Sequence, residues 1–232
     1  MNILQKTIHF FTSVKTKENP LFPMTLRIEN YKGGPNYFGY KSCWYAIKTS
    51  KTQELADFIV NVECNLTASL MFEDIGRMVF VSSNYNGWTF LICESPTSDS
   101  IKGCSSVKRV LSEISSQFDE AQFFGTHRVV EYHSWGKAVN GQLERLYSYL
   151  GEIGENLCVE GLPTKIEESY NLENTFKNLI RDDNYYDQND ITFPEESIVM
   201  AIAESWSFNP TKFSKKDFED IWTNALVIER VK

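Results

Sequence analysis

Asn140-Gly141 is the feature that most restricts how this chain can fold. Both residues tolerate positive φ, as a type I′ turn requires, and they stand between two alternating runs within Gln122–Leu150. The spacing predicts a hairpin over Arg128–Leu150, with Val139 facing Gln142, Lys137 facing Glu144, Trp135 facing Leu146, His133 facing Ser148 and Tyr132 facing Tyr149. Lys137–Glu144 and Tyr132–Tyr149 would be favourable cross-strand pairs. Strand alternation then sets His127, Val129, Glu131, His133 and Trp135 on one face, and Arg128, Val130, Tyr132 and Ser134 on the other. Neither face is purely apolar, so at least one side of the sheet meets something polar.

This face holds the candidate chemistry. Glu131 and His133 are two residues apart, about 6.6 Å on a strand, and could share a ligand or act as an acid/base pair. His127 and His133 would lie roughly 20 Å apart on a regular strand, which argues against a common metal ion. The alternative reading makes His127 and His133 ordinary hydrogen-bonded sheet residues.

The elements upstream give a fold class. Thr25–Ile28 reads as a short strand and Ser42–Thr49 as a longer one. Thr52 caps a helix over Gln53–Glu63, with Leu55, Phe58, Ile59 and Val62 at helical spacing. Arg77–Ser82 and Trp88–Cys93 are continuous apolar runs of the kind buried on both faces. Ser105 or Ser106 opens a helix to Phe118, and Ala121–Phe124 is another strand. The order predicts an α+β fold: an antiparallel sheet in ferredoxin-like β-α-β-β-α-β order, with an added hairpin. Residues 1–41 form an N-terminal extension, 42–150 the sheet core, and 151–232 an acidic, mainly helical C-terminal part packed on it, one domain overall. In that part Thr164 and Glu167 form a capping box, two glutamates follow Pro194 at a helix start, and Ser214 caps a last helix near Lys215–Leu226.

Charge separates the two parts. Residues 1–150 carry 15 Lys+Arg against 14 Asp+Glu, and residues 151–232 carry 8 against 17. The C-terminal field disfavours nucleic acid and suits a basic protein partner. Its densest stretch, Arg181–Asp190, interleaves Asp182, Asp183, Asp187 and Asp190 with Tyr185 and Tyr186, a pattern suited to partner binding. The chain has no apolar run long enough to span a membrane as a helix, and its N-terminal residues predict no signal peptide. Five cysteines without a C-x-x-C pair fit reduced thiols in the cytoplasm. No phosphate loop, nucleophile elbow, H-E-x-x-H or dinucleotide fingerprint occurs, so no cofactor is expected.

The segments QFFGTHRVVEYHSWGKAVNGQLERLYSYLGEIGE, GLPT and VMAIAESWSFNP, between Gln122 and Pro210, resemble a family of uncharacterised bacterial proteins that look like immunity-type partners of secreted toxins. The resemblance implies a bacterial, cytoplasmic, non-enzymatic protein that neutralises a basic toxin by binding. It transfers no catalytic residue. The competing expectation is a small hydrolase or metal-dependent enzyme using Glu131 and His133.

Overall fold

The structure, a computed structural model, describes residues 25–31, 38–61, 78–93, 101–177 and 190–231. They form an α+β architecture with one nine-stranded antiparallel sheet and five α-helices. The strands are β1 (Thr25–Tyr31), β2 (Cys43–Ile47), β3 (Met78–Val81), β4 (Thr89–Cys93), β5 (Glu120–His127), β6 (Tyr132–Val139), β7 (Gln142–Leu150), β8 (Glu155–Glu160) and β9 (Ala225–Val231). The helices are α1 (Thr52–Asn61), α2 (Ile101–Phe118), α3 (Lys165–Glu168), α4 (Glu196–Trp206) and α5 (Lys215–Trp222). Across the sheet the order is β1-β9-β3-β4-β2-β5-β6-β7-β8.

The sheet is covered on both sides, which explains the unbroken apolar runs of its middle strands. α1 and α2 bury Leu55, Ile59, Val107, Val110, Leu111 and Ile114 against one face. α4 and α5 bury Ile198, Val199, Ile202, Ile221 and Trp222 against the other. That second core is aromatic: Trp135 stacks on Tyr147 at 4.4 Å between centroids, and Trp44 on Phe124 at 5.2 Å. Such offset pairs add to the large apolar area that each ring buries.

The sequence reading requires three corrections. First, the C-terminal part is not mainly helical. Residues after Leu150 supply β8 and β9, and the final helix stops at Trp222 instead of running to Leu226. β9 lies between β1 and β3, and its apolar residues Ala225, Leu226, Val227 and Ile228 are buried alternately in the two cores. The four strands read as the sheet core, β3-β4-β2-β5, are thus inner strands of a wider sheet, and residues 25–31 of the N-terminal extension form its edge.

Second, the hairpin turn is where it was expected, with Asn140 and Gly141 at φ 49° and 80°, but its register slips. Val139 does face Gln142. A bulge between Lys137 and Ala138 then sets Lys137 opposite Arg145, Trp135 opposite Tyr147, His133 opposite Tyr149 and Tyr132 opposite Leu150. Lys137 pairs instead with Glu120 on β5, at 3.1 Å. At the bulge the Gly161 backbone passes so close to Glu144 that a Cβ there would lie 1.9 Å from the Glu144 carbonyl oxygen.

Third, His127 to Trp135 is not one strand. The chain turns at Arg128–Glu131, and β5 pairs with β6 with His127 opposite Tyr132.

Candidate functional site

That turn builds the candidate site. Glu131 adopts φ 51°, a left-handed conformation uncommon for a residue with a Cβ. It is held by tertiary contacts: the Gly151 and Glu152 amides donate to the carbonyls of Glu131 and Val130, so the β5–β6 turn packs on the β7–β8 turn. Gly151 is required for this approach, since a Cβ there would lie 2.4 Å from the Cβ of Glu131. The conformation sends Glu131 back over β6, where its Oε2 lies 3.2 Å from His133 Nε2.

A cleft of about 390 Å³ opens here, lined by Tyr40, Arg128, Glu131, His133, Glu195, Glu196 and Ser197. Its far wall is the start of α4, whose positive end suits the two glutamates. Arg128 spans the cleft, with Nη2 at 2.6 Å from Glu196 Oε2 and its guanidinium 6.0 Å from the centre of the Tyr40 ring. Ser197 Oγ donates to Glu195 Oε1. Three carboxylates thus face one guanidinium, and the cleft carries net negative charge.

At the cleft floor a chain of contacts runs through His133. Thr126 Oγ1 lies 3.1 Å from His133 Nδ1 and donates to Glu196 Oε1 at 3.3 Å. The sequence Glu196–Thr126–His133–Glu131 has three gaps and each needs a proton. A neutral imidazole and the threonine hydroxyl supply two; an imidazolium would supply all three. Burial opposes that charge. His133 is 1% exposed, and desolvation pushes its pKa below the ordinary histidine value, against the opposite pull of Glu131, Glu196 and Glu195. At neutral pH the ring is therefore uncharged, and the chain is one proton short.

Comparison with protein-family models, curated proteins and solved structures returned no match. The chemistry must be read from the cleft alone.

Among the residues expected from sequence, Glu131 and His133 do come together. His127 lies beside them in register but on the other face: Thr126, not His127, is opposite His133, while His127 pairs with Tyr132 of the α1–α2 core. The sheet separates the two histidines, not a 20 Å run of strand as spacing suggested. Among the described residues no group of three His, Cys, Asp or Glu has metal-holding geometry. Asp182, Asp183, Tyr185, Tyr186 and Asp187 lie outside the described residues. Asp190 is exposed at φ 48°, its carbonyl accepting from Asn171 Nδ2, five residues before the cleft glutamate Glu195. Sequence reading missed Tyr40, Thr126, Arg128 and the cleft role of Glu195 and Glu196. The glutamates had a visible signal as helix-start residues, but nothing in their spacing tied them to Glu131.

Proposed function

We propose that this chain is a protein-binding module for a basic partner, and that its biological form is immunity-type neutralisation of a secreted bacterial toxin in the cytoplasm. The observation that carries the reading is the cleft: Glu131, 62% exposed at its side chain, and Glu195, exposed just before α4, open to solvent, while Arg128, the one arginine lining the cleft, is already paired with the half-buried Glu196. A lysine or arginine of a partner would meet complementary charge there, and such complementarity raises the association rate and selects the partner. The acidic stretch Asp182–Asp190 precedes the same glutamates in sequence, and that concentration of charge supports a basic partner. Cys43, Cys104 and Cys158 are in no disulfide, which suits a reducing compartment. No helix among the described residues is long and apolar enough to cross a membrane. The order β3-β4-β2-β5, with α1 and α2 on one face, supports reading the centre of the sheet as a ferredoxin-like unit.

An enzyme using Glu131 and His133 is the second reading, because hydroxyl, imidazole and carboxylate stand in the order of a nucleophile, base and orienting acid. The arrangement opposes it. Thr126, the would-be nucleophile, is fully buried with its hydroxyl between His133 and Glu196, and the group open to solvent is the carboxylate.

The test is affinity capture from the native host with the full chain and with a Glu131→Gln, Glu195→Gln, Glu196→Gln variant, followed by binding kinetics. Wild type should retain a basic protein, with an on-rate that falls as salt rises, and the variant should bind at least about tenfold more weakly. Equal capture by both chains, or binding indifferent to salt, overturns the proposal. A hydrolytic activity lost on His133→Gln would favour the enzyme.

A further inference from the structure

The two Asn-Gly steps of this chain, Asn86-Gly87 and Asn140-Gly141, take the same conformation in different surroundings. Each has positive φ at both residues, 49° and 89° in the first and 49° and 80° in the second, and each makes a two-residue turn. Tyr85 and Trp88 exchange backbone hydrogen bonds of 2.7 and 3.0 Å across the first, and Val139 faces Gln142 across the second. Both asparagines are exposed. The second turn is docked on the end of α2. There the Asn140 amide donates to the Asp119 carbonyl at 2.6 Å, the Gly141 amide donates to the buried Ser115 Oγ at 3.0 Å, and a Cβ on Gly141 would lie 3.2 Å from Ser116 Cβ. The first turn stands free: a Cβ on Gly87 would meet no atom within 4 Å, and the Gly87 amide reaches Asn84 Oδ1 only at 3.4 Å.

We propose that Asn86 is a modification site, the asparagine at which the folded chain deamidates, and that docking on α2 protects Asn140. The reaction needs only water. The Gly87 nitrogen loses its proton to hydroxide and attacks the side-chain carbonyl carbon of Asn86. A C–N bond forms, the bond to the side-chain nitrogen breaks, and ammonia leaves a succinimide ring. Water then opens the ring at one carbonyl or the other, giving aspartate or isoaspartate. One water enters, one ammonia departs, and nothing is oxidised or reduced. A glycine nitrogen makes this attack easiest, because no side chain hinders its approach or restricts its backbone. Attack also requires the turn to open, which costs whatever holds it closed. At Asn140 the hydrogen bonds to Asp119 and Ser115 must break as well, and two net hydrogen bonds slow opening roughly tenfold or more. The products bear on α5. Tyr85 donates to Asp217 Oδ1 at 2.7 Å, and its ring lies 5.2 Å from those of Phe208 and Phe213. Either product sets a carboxylate beside Tyr85, and isoaspartate also puts an extra backbone carbon into a turn built for two residues.

The experiment incubates the folded full chain in mildly alkaline buffer and follows both asparagines by peptide mapping with mass spectrometry, separating aspartate from isoaspartate by retention. Asn86 should convert to both products, and Asn140 should convert at least about tenfold more slowly. The same incubation in urea should bring the two rates together, since neither turn is then held. Ser115→Ala should speed Asn140 in the folded chain and leave Asn86 unchanged. Asn140 converting as fast as Asn86 in the folded chain, or Asn86 staying intact there while both convert in urea, overturns the proposal, and wild-type mapping decides this even if the variant folds poorly.

Discussion

Replacing Glu167 with glutamine should destabilise this protein more than any exposed substitution, and the structure gives the size. Glu167 is buried in α3, accepts four hydrogen bonds and is ion-paired with the Arg145 guanidinium. Oε1 takes Arg145 Nε and Nη2, both at 2.7 Å, and Trp135 Nε1 at 2.8 Å. Oε2 takes the Thr164 amide at 2.8 Å and its hydroxyl at 2.7 Å. An amide in that place points its NH2 either at the guanidinium or at the Thr164 amide, so one set of donors faces another. It also leaves Arg145, 4% exposed, without its counter-charge. Breaking a buried pair from one side costs about 3–5 kcal/mol, because the surviving charge is uncompensated. For a chain of this size that is a fall in Tm of roughly 6–20 °C. Adding Arg145→Met should recover part of the loss, with a coupling of about 1–3 kcal/mol in the double-mutant cycle. Urea unfolding at neutral pH, followed by circular dichroism with the m-value checked for constancy, measures all four chains. A Glu167→Gln loss below about 1 kcal/mol, or strict additivity with Arg145→Met, would show that water relieves the site and that the burial argument is wrong.

Three other outcomes are expected. His133 is held neutral with its pKa below the unfolded value of 6.5, so its contribution to stability is complete above that pH and declines as pH falls through it towards the folded value; His133→Gln should flatten the slope of unfolding free energy between about pH 7.5 and 5.5. Gly151→Ala should displace Glu131 from His133, and, since Glu131 raises the histidine pKa, the His133 proton NMR titration should move to still lower pH. Glu173 is fully buried, and neither carboxylate oxygen has a partner among the described residues, so Glu173→Gln should raise unfolding free energy by about 1–3 kcal/mol in the same urea assay.

What the sequence makes legible here is local. Leu55 and Ile59, the stripe through Val107, Val110, Leu111 and Ile114, and the Asn140-Gly141 turn each carry their own signal within a few residues, and each ends where that signal points. The errors arise where distant backbone decides. Arg128–Glu131 contains no glycine, proline, asparagine or aspartate, so nothing marks it as a turn; the positive φ of Glu131 is sustained by amides at Gly151 and Glu152. The slip at Lys137/Ala138 accompanies the passage of Gly161 beside Glu144. The sequence reading carries the last helix over Ala225–Leu226, the first two residues of β9, because a short apolar run has no period of its own; the place of β9 between β1 and β3 decides the strand.

The same limit applies to the site, and it shows why composition alone could not find it. In sequence Glu131 stands out only by its spacing from His133, and Glu167 only as the third residue of a capping box; neither signal shows which carboxylate keeps open acceptor sites. In the fold, Glu167 spends both oxygens on four internal hydrogen bonds and the Arg145 ion pair, and it is buried. Glu131 has one internal contact, to a neutral imidazole in a chain that is a proton short, and stands 62% exposed across from two more carboxylates. Unfilled acceptor capacity at a solvent-facing position is what attracts a cationic donor from outside. On the proposed reading, the carboxylate beside His133 is thus the one whose remaining bonds a basic partner would complete.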